Sequence, residues 1–226
     1  MPAAQLPLQK SLKSARHRVR DQIEKMILSG TLRPGEKLLQ QPLAKQFGVA
    51  LGVLRESLLE LKACGLVEVV DNLGMFVANL DGKRVLEALE IREIHEGLAA
   101  RLCCRRASRE NIHELRQWID EIDVLARAGN KEEAGKLDRN FHLRIVQLSG
   151  NETLGRLAET FPILSLVLSM SSDVEVVRQA HLEILSAIEH NRPDDAERLM
   201  REHIRSARNV IEQRIREGTF LLEWIK

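Results

Sequence analysis

Asp138 and His142 stand four residues apart in Asp138-Arg-Asn-Phe-His142. On a helix that spacing puts a carboxylate and an imidazole on one face, about 6 Å apart along the axis. Phe141 and Ile145 share the face, so it is the apolar one. Two more histidines have the same setting: His181 falls in line with Ile184, Leu185 and Ile188, and His203 with Leu199, Ala207 and Val210. Their heights agree as well. His181 lies ten residues before Asn191 and His203 ten after Pro193, so in an antiparallel helical hairpin both sit about 15 Å from the loop. His142, eight residues before Gly150, reaches a similar depth. One carboxylate and three imidazoles suit a borderline divalent ion, zinc first and nickel, cobalt or manganese as alternatives, with positions left for water or an anion. A lone histidine on an apolar helix face is more often a hydrogen-bonded core residue. Three at one depth beside a carboxylate leave both readings open on spacing alone.

The elements that must position these side chains are helices. From residue 81 onward apolar residues recur with helical period over 82–107, 110–128, 131–149, 151–170, 173–190 and 193–217. Breaks fall at Ala107-Ser108, Gly129-Asn130, Gly150-Asn151, Ser171-Ser172 and Asn191-Arg192-Pro193. This half is an all-α bundle with short loops. The first half differs. A helix over 11–29 leads through the turn Thr31-Leu-Arg-Pro-Gly35 to short helices at 40–47 and 51–63. Leu66 to Val70 then reads as a strand, Asp71-Asn-Leu-Gly74 as a turn, and Met75 to Ala78 as its returning partner. Helices followed by a two-stranded ribbon make a winged helix-turn-helix, whose second helix enters a DNA major groove. The expected domains are 1–80 and 81–226, joined at Asn79-Leu-Asp-Gly82. The fold class is therefore mainly α, a winged helix-turn-helix followed by a helical bundle.

Charge supports the division. Residues 1–80 hold eleven Lys and Arg against seven Asp and Glu, whereas 81–226 hold 23 against 26. Lys10, Lys13, Arg16, Arg18 and Arg20 crowd the basic start and are candidates for phosphate contacts. Three cysteines, Cys64, Cys103 and Cys104, cannot form an even disulfide framework, and no CxxC pair offers a thiolate zinc site. With no signal peptide and no stretch that spans a bilayer, a reducing cytoplasm is the expected location, with no membrane partner. Aromatic residues are 3% with no tyrosine, so the stacking platforms of single-strand and RNA binders are nearly absent.

The chain resembles the GntR regulators of the FadR subfamily, whose C-terminal domain is of the all-helical FCD type. In the first half the resemblance rests on Ile27-Leu-Ser-Gly-Thr-Leu-Arg-Pro-Gly-Glu-Lys-Leu38, Leu54-Arg-Glu-Ser-Leu58 and Gly65-Leu-Val-Glu68 with Gly74-Met-Phe-Val77. In the second it rests on Ile91-Arg-Glu93, Glu96, Asp138-Arg-Asn-Phe-His142, Ser149-Gly-Asn151, His181-Leu-Glu-Ile184 and His203-Ile204. The resemblance implies that Asp138, His142, His181 and His203 hold a metal. It also implies that Arg92 pairs with the carboxylate of a small organic acid beside that metal, since a guanidinium and an ion aimed at one cavity grip a carboxylate from two sides. His95, where the family commonly has an aliphatic residue, is a second candidate for the pocket.

The DNA reader departs from the family. Its usual Val-Ser-Arg-Thr-Pro-Val-Arg-Glu-Ala-Leu is here Val49-Ala-Leu-Gly-Val-Leu-Arg-Glu-Ser-Leu58. Arg55 is kept, while Leu51 and Gly52 replace an arginine and a hydroxyl and Gln41 replaces a frequent arginine. The candidate DNA contacts are Arg16, Gln41, Leu51, Gly52, Arg55 and Gly74, and the changes point away from the family's usual operator. The expected protein is a regulator, not an enzyme, that binds double-stranded DNA as a homodimer and senses a small acid through a metal. Two rivals remain: a metal-dependent hydrolase or isomerase, with Glu96 or His95 as base, and a sensor that has lost DNA binding.

Overall fold

A computed structural model describes residues 7–79, 81–158 and 173–220, and within α1 the side chains from 15 to 27. The chain divides after residue 80 into two compact units. The first contains α1 (Pro7–Leu28), α2 (Gln40–Phe47), α3 (Leu51–Ala63) and an antiparallel ribbon of β1 (Val67–Val70) and β2 (Gly74–Val77). Helix α1 packs on α3, and their apolar stripes, Val19, Ile23 and Ile27 against Leu54, Leu58 and Leu61, are buried. Ser57 is buried in the same seam, where its hydroxyl donates to the Arg16 carbonyl at 2.9 Å. Gly48, at φ 63°, ends α2 and returns its N–H to the carbonyls of Ala44 and Lys45, a left-handed turn that suits glycine and reverses the chain into α3. In the ribbon Val67 faces Val77 and Val70 faces Gly74; β1 starts one residue after the expected Leu66 and ends at the expected Val70, and β2 runs one residue earlier than the expected Met75–Ala78.

The second unit contains α4 (Gly82–Cys103), α5 (Arg109–Arg127), α6 (Lys131–Leu148), α7 (Glu152–Ala158), α8 (Val174–Glu189) and α9 (Pro193–Arg216). Helix α4 stops four residues short of the expected 107. The N–H groups of Arg106 and Ala107 turn back to the Cys103 carbonyl, and Ser108 with Asn111 forms a capping box that starts α5 instead. The helix expected over 151–170 is described to Ala158; its remainder, the break at Ser171-Ser172 and the side chains of Lys10 and Lys13 lie outside the described residues. Helices α4 and α9 pack along their length, α6 packs on α4 and α5, and α8 pairs with α9 as a hairpin turned at Asn191. Gly97 permits the close approach of α4 and α9, since a Cβ there would lie 2.6 Å from Arg201 Cγ. Leu89, Leu115, Ile119, Phe141, Ile145, Ile184 and Ile204 fill the core.

Candidate metal and effector site

Into this apolar core four helices turn polar side chains. Helix α4 supplies Arg92 and Glu96 one turn apart, α6 supplies Asp138 and His142, α8 supplies His181 and α9 supplies His203, all buried. The three histidines each offer a nitrogen within 4.8 Å of the others. Nε2 of His181 and Nε2 of His203 are 3.2 Å apart. Asp138 stands beside them, Oδ1 at 3.4 Å from His181 Nε2 and Oδ2 at 3.9 Å from His142 Nε2. Phe141 walls the cluster with its ring centroid 4.5 Å from that of His181.

Hydrogen bonding alone does not satisfy this cluster. The facing nitrogens of His181 and His203 share at most one proton, and Asp138 Oδ2 and His142 Nε2 have no hydrogen-bond partner although buried. Each such atom costs about 1–3 kcal/mol. Two nitrogens bound to one ion at about 2.0–2.1 Å lie about 3.0–3.4 Å apart, the spacing of His181 and His203. The donor set therefore fits a divalent ion of the zinc type. Its protonation fits too. Burial, reinforced by the charges of His142 and Arg92, drives His203 down to about 3. Burial and then the neighbouring His203, His142 and Arg92 hold His181 well below the ordinary histidine value, so both imidazoles present free lone pairs. Burial pushes the Asp138 carboxyl upward, against the attraction of His142 and Arg92.

Glu96 orients the cluster from behind. One carboxylate oxygen pairs with Arg92 Nε, and the other lies 2.6 Å from His142 Nδ1. Burial alone would raise its carboxyl, but the Arg92 and His142 charges reverse this and hold it well below the usual carboxylate range. The two atoms are close but not aligned as a hydrogen bond; a carboxylate beside Nδ1 favours the tautomer that leaves Nε2 as the ligand nitrogen, the usual outer support of a metal-bound histidine. Arg92 keeps Nη1 buried and unpartnered, a donor available to an anion. His95 is buried on the same helix and donates from Nε2 to the Leu154 carbonyl at 2.7 Å, which ties α4 to α7. A cleft of about 230 Å³ between α8 and α9 reaches the cluster, lined by Asp138 and His203 with Val177, Ala180, Leu199 and Ser206.

The candidate DNA contacts lie in the first unit. Gly52, Arg55, Glu56 and Leu59 form the exposed face of α3. Arg55 Nε donates to Gln40 Oε1 at 2.8 Å, while Gln41 is exposed on α2. Leu51 is half-buried at the first position of α3, and Ala50 caps that helix without a side-chain hydrogen bond. Nothing lies within 4 Å of where a Cβ on Gly52 would stand. Gly74 begins β2 at φ 107°. Arg16 is not grouped with the exposed face, because its guanidinium pairs with Glu60 at 2.8 Å and Glu56 at 3.6 Å.

The FCD-domain family model matches residues 87–206, and the model of bacterial regulatory proteins of the gntR family matches residues 15–77. The chain belongs to the GntR family. A GntR-type relative, the Nta operon transcriptional regulator of Aminobacter aminovorans, is 31% identical over 190 residues, 79% of this chain and 86% of that protein. The transcriptional regulator YdhC of Bacillus subtilis is 34% identical over 140 residues, and the match spans 62% of each chain. Escherichia coli McbR/YncC shares the fold, with a TM-score of 0.73 at 20% identity over 89% of this chain and 98% of that one. GntR proteins of this FCD type are DNA-binding transcriptional regulators, and this chain is one of them, not an enzyme. The hydrolase reading is set aside on chemistry as well, since Glu96 is committed to Arg92 and His142. Among the described residues no helix is long and apolar enough to cross a membrane.

Proposed function

We propose that this GntR regulator binds one divalent ion, zinc before nickel, cobalt or manganese, through Asp138, His142, His181 and His203. A small mono- or dicarboxylate bound at that site changes its affinity for DNA. The observation that carries the reading is the buried meeting of three imidazoles and a carboxylate, in which Asp138 Oδ2 and His142 Nε2 lack hydrogen-bond partners. When bound, the ion supplies a fixed positive charge for a carboxylate oxygen. The residues do the rest: Glu96 orients His142, Phe141 excludes water from the His181 side, and Arg92 offers Nη1 to the acid. A cleft of this size, lined in part by charged groups, suits a few heavy atoms and disfavours a long acyl chain.

The acid regulates DNA binding only to the extent that it binds the DNA-competent and incompetent states unequally. The protein acts in the cytoplasm as a homodimer on a two-fold operator, with Arg55 as the principal base reader and Gln41, Leu51, Gly52 and Gly74 at the surface around it. The uncapped Ala50 and the bare Gly52 favour a second reading, a sensor with weakened DNA binding. Titration calorimetry with metal-loaded protein and a panel of short carboxylates tests the effector site: Arg92→Ala weakens binding at least about tenfold, about 1.4 kcal/mol, with metal content unchanged. Equal affinity in wild type and variant excludes Arg92 from the site. A gel shift on the DNA flanking the gene separates the two readings.

A further inference from the structure

The four residues assigned to the ion are closed off from water: Asp138 is 5% exposed, His142 2%, His181 0% and His203 8%. An ion reaches them through an opening in the folded bundle or waits for the bundle to come apart. The cleft between α8 and α9 is such an opening, and of the four residues it touches Asp138 and His203. At about 230 Å³ it has room for about seven waters of ~30 Å³ each, enough for a hydrated ion. Asp138, at its buried end, keeps Oδ2 without a hydrogen-bond partner.

The charges along the cleft have one sign. Besides Asp138 it is lined by Glu183 of α8 and Glu202 of α9, both exposed, and by no lysine or arginine among the described residues. Glu183 lies eight residues before Asn191 and Glu202 nine after Pro193, so across the α8–α9 hairpin they stand at one level, about 12–13.5 Å from the loop. His181 and His203, at about 15 Å, are less than one turn deeper. Glu183 accepts from the neutral Gln179 amide at 2.9 Å, which leaves its charge whole. Glu202 meets Arg198 at 3.0 Å, an exposed pair of little strength, and Arg198 is outside the cleft. The walls are otherwise mostly apolar, with Val177, Ala180, Leu199 and Ala207, and walls of low dielectric concentrate the field of the carboxylates in the opening.

We propose that this cleft is the port through which a divalent cation enters and leaves the folded protein, with Glu183 and Glu202 as its capturing charges and not as ligands. The proposal rests on the metal reading and adds the route and the residues that set its rate. Glu183 and Glu202 draw the cation from water, and Asp138 Oδ2 receives it at the buried end. A barrier lowered along one path is lowered in both directions, so the two carboxylates speed loading and unloading alike and leave the equilibrium nearly untouched. The same charges disfavour an acid in the metal-free protein, so the ion loads before the effector.

Stopped-flow mixing of the metal-free full chain with cobalt(II), followed by the visible absorption of the bound ion, tests the port. In the double variant Glu183→Gln with Glu202→Gln the association rate constant is expected to fall at least about tenfold, with the dissociation constant changed by less than about threefold. Added salt slows wild type and affects the variant less. Glu189→Gln, on the same helix but outside the cleft, keeps the wild-type rate. A double variant that loads as fast as wild type, or a wild-type rate that saturates with cobalt and ignores salt, means entry by opening of the bundle and overturns the port while the metal reading stands. An affinity that falls as far as the rate places the two carboxylates in the binding set and overturns their role as capturing charges. No cobalt signal in wild type overturns the metal reading and the port together.

Discussion

Replacing Glu96 with Gln removes one negative charge and almost no volume. In the native site the two carboxylate oxygens are divided between Arg92 Nε and the 2.6 Å contact to His142 Nδ1. The amide has one carbonyl oxygen to accept with, and its NH₂ confronts whichever donor is left. His142 then loses the partner that favours its Nδ1 proton and leaves Nε2 as the ligand nitrogen. Loss of such an outer partner weakens metal binding about 10–100-fold, about 1.4–2.7 kcal/mol. Stability falls further, because a neutral amide replaces the carboxylate beside the buried Arg92 guanidinium and forfeits much of a charge-assisted pair, about 1.5–3 kcal/mol. Against a total of about 5–15 kcal/mol, the variant still folds at room temperature but melts lower. Competition with a zinc-chelating dye reads the first effect, and urea denaturation of metal-free protein reads the second. Glu93→Gln is the control: Glu93 pairs with Arg205 at 2.5 Å and lies beside Arg201 and Arg208, away from the histidines, so zinc affinity stays at the wild-type value. Equal zinc affinity in wild type and Glu96→Gln would refute the claim that Glu96 orients His142.

Metal-free protein should lose stability between pH 7 and pH 5. His203, at about 3, and His181, well below its ordinary 6.5, stay neutral in the fold but take up protons when unfolded, so their contribution is complete above 6.5 and drains away below it. By pH 5 that is about 2 kcal/mol for His203, with a loss of the same sign from His181, offset in part by Asp138, whose raised carboxyl acts in the opposite sense. A urea midpoint at pH 5 equal to that at pH 7 contradicts this. In gel shifts Arg55→Ala should abolish specific binding, a loss of about 1–3 kcal/mol of base discrimination, while Leu51→Arg with Gly52→Thr should tighten binding to a family-type palindrome. Room for the threonine exists, since no atom lies within 4 Å of a Cβ on Gly52. Ala50→Ser should raise thermal stability by about 1 kcal/mol by supplying the missing cap on α3, and an unchanged melting curve rejects that role.

Helical period carried most of the architecture because each helix buries one face, and the strand–turn–strand of the wing is legible from its short alternating run. The Asp138–His142 pair is legible because one helix sets both positions. The level shared by His181 and His203 follows from counting along a hairpin whose turn is marked by Asn191 and Pro193. The role of Glu96 is not legible in this way: its partner His142 is on another helix, and the register between α4 and α6 is set by packing. Nor does sequence show that His95 meets a backbone carbonyl, Leu154, since carbonyls leave no mark on composition. Arg16 reads as a free basic residue until α1 docks on α3 and brings Glu60 to it. The early stop of α4 depends on a competing cap at Ser108, and periodicity does not weigh one cap against another.

Elemental analysis of protein purified without chelator decides whether the histidine cluster holds an ion. About one divalent ion per chain is expected in wild type, nearly none in His181→Ala, and a matching fall in thermal stability, because the ion would tie α6, α8 and α9 together and its binding would add to the folding free energy. Wild-type protein that carries no metal, and that neither zinc nor nickel stabilises, would contradict it.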